Sequence, residues 1–249
     1  MDVIPLSPGF GAELRGITLS DIASDDAAYA AARAAFEEHS LLVFRGQDVT
    51  DELQLAFSRR FGPPEVTKVG SQGTGSHFVI LSTIGPDGKV VPADHRMQMR
   101  NKANQLWHTD SSFKRTPALT SILSARIIPD HGGETEFVST RLAFERLDPD
   151  LQKQLQNFFA WHDYAHSRGQ IAADLASPEE RAALPAQCWR MAQSRQRPRR
   201  ALSGVTHLRG RGHGSRRWQE ADRRADGGGD SAGPELFASV AQGRCRDVG

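Results

Sequence analysis

Asn104-Gln105-Leu106-Trp107-His108-Thr109-Asp110-Ser111-Ser112-Phe113 is the stretch on which the reading of this chain turns. Residues 105–107 predict a short strand. On a strand, positions i and i+2 point to the same face, so His108 and Asp110 could both reach one metal ion. One neutral imidazole and one carboxylate suit a borderline metal such as iron(II) or zinc. Alone, a His-X-Asp pair is a weak signal, far more often the pattern of an exposed, inert loop. Its surroundings decide between the two.

Downstream, Pro117 precedes a long apolar run over 118–128 that predicts a strand. Gly132-Gly133 predicts a turn and 134–138 a further strand. Residues 139–147 and 150–159 predict helices, and 161–166 another strand. His162 and His166, with Arg168 close behind, either line a pocket or are structural. Upstream, Gly9-Phe10-Gly11-Ala12-Glu13-Leu14 opens a strand-like stretch. Residues 24–39 predict a helix with Asp25 and Asp26 in its first turn. Leu41-Leu42-Val43-Phe44 predicts a buried strand. Residues 50–61 predict a second helix, capped by Thr50 and stopped at Gly62-Pro63-Pro64. Between 65 and 104, short apolar runs alternate with turns such as Gly85-Pro86-Asp87-Gly88. Short strands with a few helices predict a mainly β fold of sandwich or jelly-roll type.

The chain has 249 residues and a net charge of +1, which excludes any strong global attraction to nucleic acid or membrane surface. No apolar run approaches the ~20 residues of a membrane span. The start, Met1-Asp2-Val3-Ile4-Pro5, lacks the pattern of a signal peptide. Two cysteines, Cys188 and Cys245, are too few and too far apart for a disulfide scaffold or a metal motif. A cytoplasmic location is therefore expected. Homo-oligomerisation stays open.

In this context the motifs resemble those of the TauD/TfdA family of Fe(II)- and 2-oxoglutarate-dependent dioxygenases. They include the His108 stretch, Gly132-Gly133-Glu134-Thr135-Glu136-Phe137, Gly9-Phe10-Gly11-Ala12-Glu13, Leu42-Val43-Phe44-Arg45-Gly46-Gln47 and Phe61-Gly62-Pro63. The resemblance spans roughly residues 5–191 and is strongest to the phenoxyalkanoate branch. It implies a double-stranded β-helix, or jelly roll, and a facial triad with three open positions for cosubstrate and dioxygen. His108 and Asp110 match two of the iron ligands. Thr135 matches the hydroxyl that contacts 2-oxoglutarate, and Asn104 a substrate-side position. Lys68 and Lys89 fall where a substrate carboxylate would be held; each is otherwise a solvated surface charge. The implied reaction hydroxylates a small carboxylate such as a phenoxyalkanoate, with ether cleavage.

The resemblance also implies a third ligand, a histidine in a stretch like Trp-Asp-Asn-Arg…His-Arg-Gly, and an arginine beyond it. Neither context occurs here. His207 and His213 sit in unrelated surroundings. From about Ala192 the composition changes: the tail holds 12 of the 26 arginines and none of the 5 lysines, with Gly-Arg-Gly and Gly-Gly-Gly stretches. Such a segment should not pack a core.

Codon degeneracy offers a reason. The last ten residues can be encoded so that a one-nucleotide shift reads Trp-Arg-Lys-Gly-Asp-Val-Val-Met-Trp, which is family-like, with a stop in the present frame. Residues 204–222 can likewise be encoded to give a family-like stretch. The expectation is therefore a dioxygenase domain over 1–191 and an out-of-frame, disordered tail over 192–249. The jelly roll would lack its C-terminal strands and the activity would be impaired. Two other readings remain: a scaffold that kept the fold without the chemistry, and a nucleic-acid binder using the Arg/Gly tail.

Overall fold

A computed structural model describes residues 1–66, 75–129, 133–155 and 158–190. The chain divides into two compact units. The first holds Met1–Ile80 and Ala118–Leu142; the second holds Leu81–Pro117 and the described residues from 143 onward.

In the first unit β1 (Asp2–Ser7) pairs antiparallel with β2 (Phe10–Arg15), with Val3 opposite Leu14. β2 in turn pairs parallel with β3 (Leu42–Val43), with Ala12 opposite Leu42. Helices α1 (Leu19–Ser24), α2 (Asp26–His39) and α3 (Asp51–Phe61) belong to the same unit. Their ends are set by local chemistry. Thr18 and Asp21 form a reciprocal capping box on α1. Asp25 caps α2 through the Ala28 amide, and Thr50 caps α3 through the Leu53 amide. α3 stops at Gly62, whose φ of 138° suits glycine.

The core is built from Leu14, Leu19, Ile22, Ala32, Ala35 and Phe57, with Phe44, Phe61 and Ile122 packed against it. Phe61 meets Tyr29 and Phe36 edge-on, at centroid distances of 5.5 and 6.0 Å. The buried carboxylate of Glu13 is held by Arg15 at 2.8 Å and Arg45 at 3.4 Å. The hydrogen bond from Arg15 keeps its pKa below the usual carboxylate value, although burial opposes this.

The second unit carries α4 (Arg96–Asn104), α6 (Pro149–Leu155), α7 (Tyr164–Gly169), α8 (Pro178–Ala183) and a two-stranded sheet. In that sheet β4 (Phe159–His162) pairs antiparallel with β5 (Gln187–Arg190). α5 (Thr140–Glu145) runs from one unit into the other.

This architecture corrects the jelly-roll expectation. The described residues are mainly helical, with two small open sheets and no closed double-stranded β-helix. The predicted strands at 105–107, 118–128 and 134–138 are not strands among the described residues. A strand exists only through a partner's hydrogen bonds, and an apolar run cannot supply these by itself. Segment 118–128 is instead tied to α3 by side chains. Gln54 donates to the Ile122 carbonyl at 3.3 Å, and Arg126 donates to Asp51 at 2.8 Å. Leu123, Ile127, Ile128 and Phe137 remain exposed. The predicted strand at 161–166 is β4 in its first two residues and α7 from Tyr164. Among the described residues no helix is long and apolar enough to cross a membrane.

His162, in β4 opposite Gln187, provides a pH test of the second unit. Burial pushes its pKa down to about 4. An unfolded histidine takes a proton near pH 6.5, so the unfolded state gains protons first as pH falls. The stability contributed by neutral His162 is fully present above about pH 6.5 and is lost towards about pH 4. The unaltered chain should lose up to about 1.4 kcal/mol per pH unit in that window. His162→Gln should remove this part of the slope. Urea unfolding at pH 7 and pH 5, followed for both proteins, checks it; parallel slopes would disprove it.

Candidate functional site

The stretch 105–113 leaves α4 at Gln105, whose amide closes the helix on the Lys102 carbonyl. It then runs as a loop, turning at Ser111 with a φ of 58°. Two contacts pin the loop. The indole Nε1 of Trp189 donates to the Ser112 carbonyl at 2.6 Å. The ring of Phe113 packs on that of Tyr164 at 5.1 Å. The same-face argument for His108 and Asp110 therefore fails as a strand argument. The loop nevertheless brings the two side chains together, with His108 Nε2 3.2 Å from Asp110 Oδ1.

His108 is oriented by its other nitrogen. Nδ1 lies 2.6 Å from the Leu106 carbonyl, which can only accept, so Nδ1 carries a proton. In the neutral ring Nε2 then presents a lone pair to the carboxylate. Two lone pairs at 3.2 Å require a cation to share, either a proton or a metal. The hydrogen bond that protonated His108 donates to Asp110 raises the pKa of His108 above its usual value. Burial opposes that rise, the Leu106 carbonyl adds to it, and the nearby charge of Arg168 opposes it.

The donor set can be tested against iron. An imidazole nitrogen and a carboxylate oxygen, half-open to solvent at 41% and 56% side-chain exposure, leave room for an ion and small ligands. Two cis ligands at about 2.1 Å on an octahedral ion lie about 3.0 Å apart, close to the observed spacing. A backbone carbonyl on the distal nitrogen is the usual outer-shell support for a metal-bound histidine. The pair therefore fits as two of three protein ligands. Among the described residues no group of three His, Cys, Asp or Glu is placed to hold a metal.

Asn104, the last residue of α4, lies exposed, with its side-chain oxygen 3.5 Å from Arg168 Nη1. Lys89 is exposed in the turn between the bridged residues Ile84 and Val90. Thr135 is exposed in the first unit, whereas His108, Asp110, Asn104 and Lys89 are in the second. Lys68 lies outside the described residues, as does the whole tail from 191, including His207 and His213. His166 sits in α7, where its amide receives the Asp163 cap. Reading the sequence alone misses the roles of Arg168, Tyr164 and Trp189 around the pair. Arg168 meets Asn104 across 64 positions, and no local pattern announces such a contact.

The family model for taurine catabolism dioxygenase TauD and the TfdA family matches residues 2–225. The chain belongs to the TauD/TfdA family. That family comprises Fe(II)- and 2-oxoglutarate-dependent dioxygenases. The 2,4-dichlorophenoxyacetate dioxygenase of Cupriavidus pinatubonensis is 37% identical over 190 residues, covering 74% of this chain and 66% of the relative. The (S)-phenoxypropionate/alpha-ketoglutarate dioxygenase of Sphingobium herbicidovorans is 36% identical over 172 residues, covering 68% and 56%. The chain thus spans about half to two thirds of the curated TauD/TfdA relatives it matches. Among solved structures, AAD-2 in complex with Mn(II) and N-oxalylglycine superposes with a TM-score of 0.75 at 27% identity. That likeness covers 98% of this chain and 86% of AAD-2.

Proposed function

We propose that this gene encodes an Fe(II)- and 2-oxoglutarate-dependent dioxygenase that hydroxylates a small carboxylate, of phenoxyalkanoate type, beside its ether oxygen. The observation that carries the reading is the convergence of His108 Nε2 and Asp110 Oδ1 within the family's motif, with Leu106 fixing the ring. His108 and Asp110 would hold the iron. The bound iron supplies the oxidising power, by coupling dioxygen to decarboxylation of 2-oxoglutarate. Thr135 is assigned to 2-oxoglutarate by its place in Gly-Gly-Glu-Thr-Glu-Phe. Asn104, Lys89 and Lys68 are assigned to the substrate side, where a lysine acts as a point charge on a carboxylate.

With phenoxyacetate the balance closes. Phenoxyacetate, 2-oxoglutarate and dioxygen give phenol, glyoxylate, succinate and carbon dioxide. One oxygen atom enters succinate, and the other enters the carbon beside the ether, whose collapse releases phenol. The protein's part is to orient that carbon and to exclude uncoupled oxidation.

The second part of the proposal is that residues beyond about 191 are read out of frame. The Arg-for-Lys composition and the family-like shifted reading support it. This chain is then an impaired form, without the third histidine and the arginine for the distal carboxylate of 2-oxoglutarate. A full-length enzyme of this gene should release phenol and succinate from phenoxyacetate in equal amounts, as read by chromatography. Succinate without phenol, across a panel of aryloxy acids, would overturn the substrate class.

A further inference from the structure

We propose that Arg168 is a carboxylate anchor beside the His108–Asp110 pair, and that it takes the carboxylate of an aryl or aryloxy acid. The choice of ligand rests on the dioxygenase reading; the anchor itself rests on the geometry of the second unit.

α7 sets Arg168 half-buried in its last turn. One nitrogen of its guanidinium is 3.5 Å from the Asn104 side-chain oxygen, and the group lies over the Tyr164 ring at 5.1 Å. Both contacts lead to the pair. Asn104 ends the helix that feeds the His108 loop, and Tyr164 stacks on Phe113 in that same loop.

Among the described residues Arg168 forms no ion pair with a carboxylate. Glu180, the carboxylate that accepts from the Tyr164 hydroxyl at 3.1 Å, also accepts from the Ser177 amide at 3.0 Å. Asn104 and the Tyr164 hydroxyl, which also accepts from the guanidinium, are both neutral and leave part of its five donors for a ligand. A partly buried guanidinium whose partners among the described residues are neutral is matched in shape and charge by a carboxylate, which it can bind through two parallel hydrogen bonds. The adjoining Phe113–Tyr164 ring pair offers an apolar surface to the aryl part of such a ligand. 2-Oxoglutarate presents the same carboxylate chemistry without the ring, so the test has an arm for each.

The experiment is calorimetric titration of the full chain, without metal, with phenoxyacetate, 2-oxoglutarate and the neutral phenoxyethanol. Arg168→Met should weaken phenoxyacetate by at least about tenfold, the scale of a lost charge-assisted pair. Arg168→Lys should lie between, because it keeps the charge without the fork. Phenoxyethanol should bind equally to all three proteins, which also shows that the variants fold. 2-Oxoglutarate should change by less than about twofold. Unchanged phenoxyacetate affinity in Arg168→Met, no phenoxyacetate binding by the unaltered chain, or an equal loss for 2-oxoglutarate would each overturn the anchor. Failure of the dioxygenase reading looks different: Arg168-dependent binding of phenoxyacetate would persist while His108 and Asp110 bound no metal.

Discussion

Restoring the reading frame near codon 191 will raise 2-oxoglutarate-dependent succinate release by at least about a thousandfold over the chain as it stands. The proposed shift of frame implies two losses in the present chain. On the proposed reading iron would have two protein ligands rather than three, and the distal carboxylate of 2-oxoglutarate would lack the family arginine. Removal of a mere outer-shell partner of a metal ligand already costs roughly 10–100-fold. Loss of a ligand costs more, and a bidentate arginine–carboxylate pair adds roughly a further tenfold. The check is a succinate assay on both proteins, each supplied with Fe(II) and ascorbate. Equal and robust turnover by the present chain would show that the tail supplies its own ligand, and the frame argument would fall.

In the restored protein, His108→Ala and Asp110→Ala should each abolish turnover, to at least about a thousandfold below the parent. Each would remove one ligand of the proposed facial triad, and among the described residues no group of three His, Cys, Asp or Glu is placed to hold a metal in its stead. Asp110→Glu should fare little better, because the longer arm moves the oxygen off a spacing that the loop sets at 3.2 Å. Circular dichroism of the variants should match the parent, since both side chains are about half exposed. A variant that retained a tenth of the activity would remove that residue from the ligand set.

The helices of the first unit were readable because their signals are local. Asp25 and Thr50 are caps with helix-forming residues behind them, and Gly62 stops α3. Asp25 proves to be the cap itself rather than a first-turn residue. α8 carried an equally legible signal in Ser177-Pro178-Glu179-Glu180, a capping box with proline at its start, which the reading passed over. α4 is nearly all polar, and a search for hydrophobic periodicity cannot find it.

The strand predictions failed for a different reason. Segments 118–128 and 134–138 have the apolar character of strands, but pairing is a property of two segments and only one was in view. The candidate pair was visible in its residue types. Its geometry was not, because His108 and Asp110 meet through a loop held by Trp189 and Phe113 rather than through strand alternation. Arg168 was in view beside His166, yet its meaning depends on Asn104 and Tyr164, whose positions the fold supplies.

The central claim is that His108 and Asp110 are metal ligands. Titration of the full chain with Mn(II), followed by electron paramagnetic resonance of the free ion, tests it most directly. The account predicts one weak site per chain, lost in the His108→Ala/Asp110→Ala double variant and retained in His166→Ala. Identical Mn(II) binding by the unaltered chain and the double variant, or none by either, would contradict it.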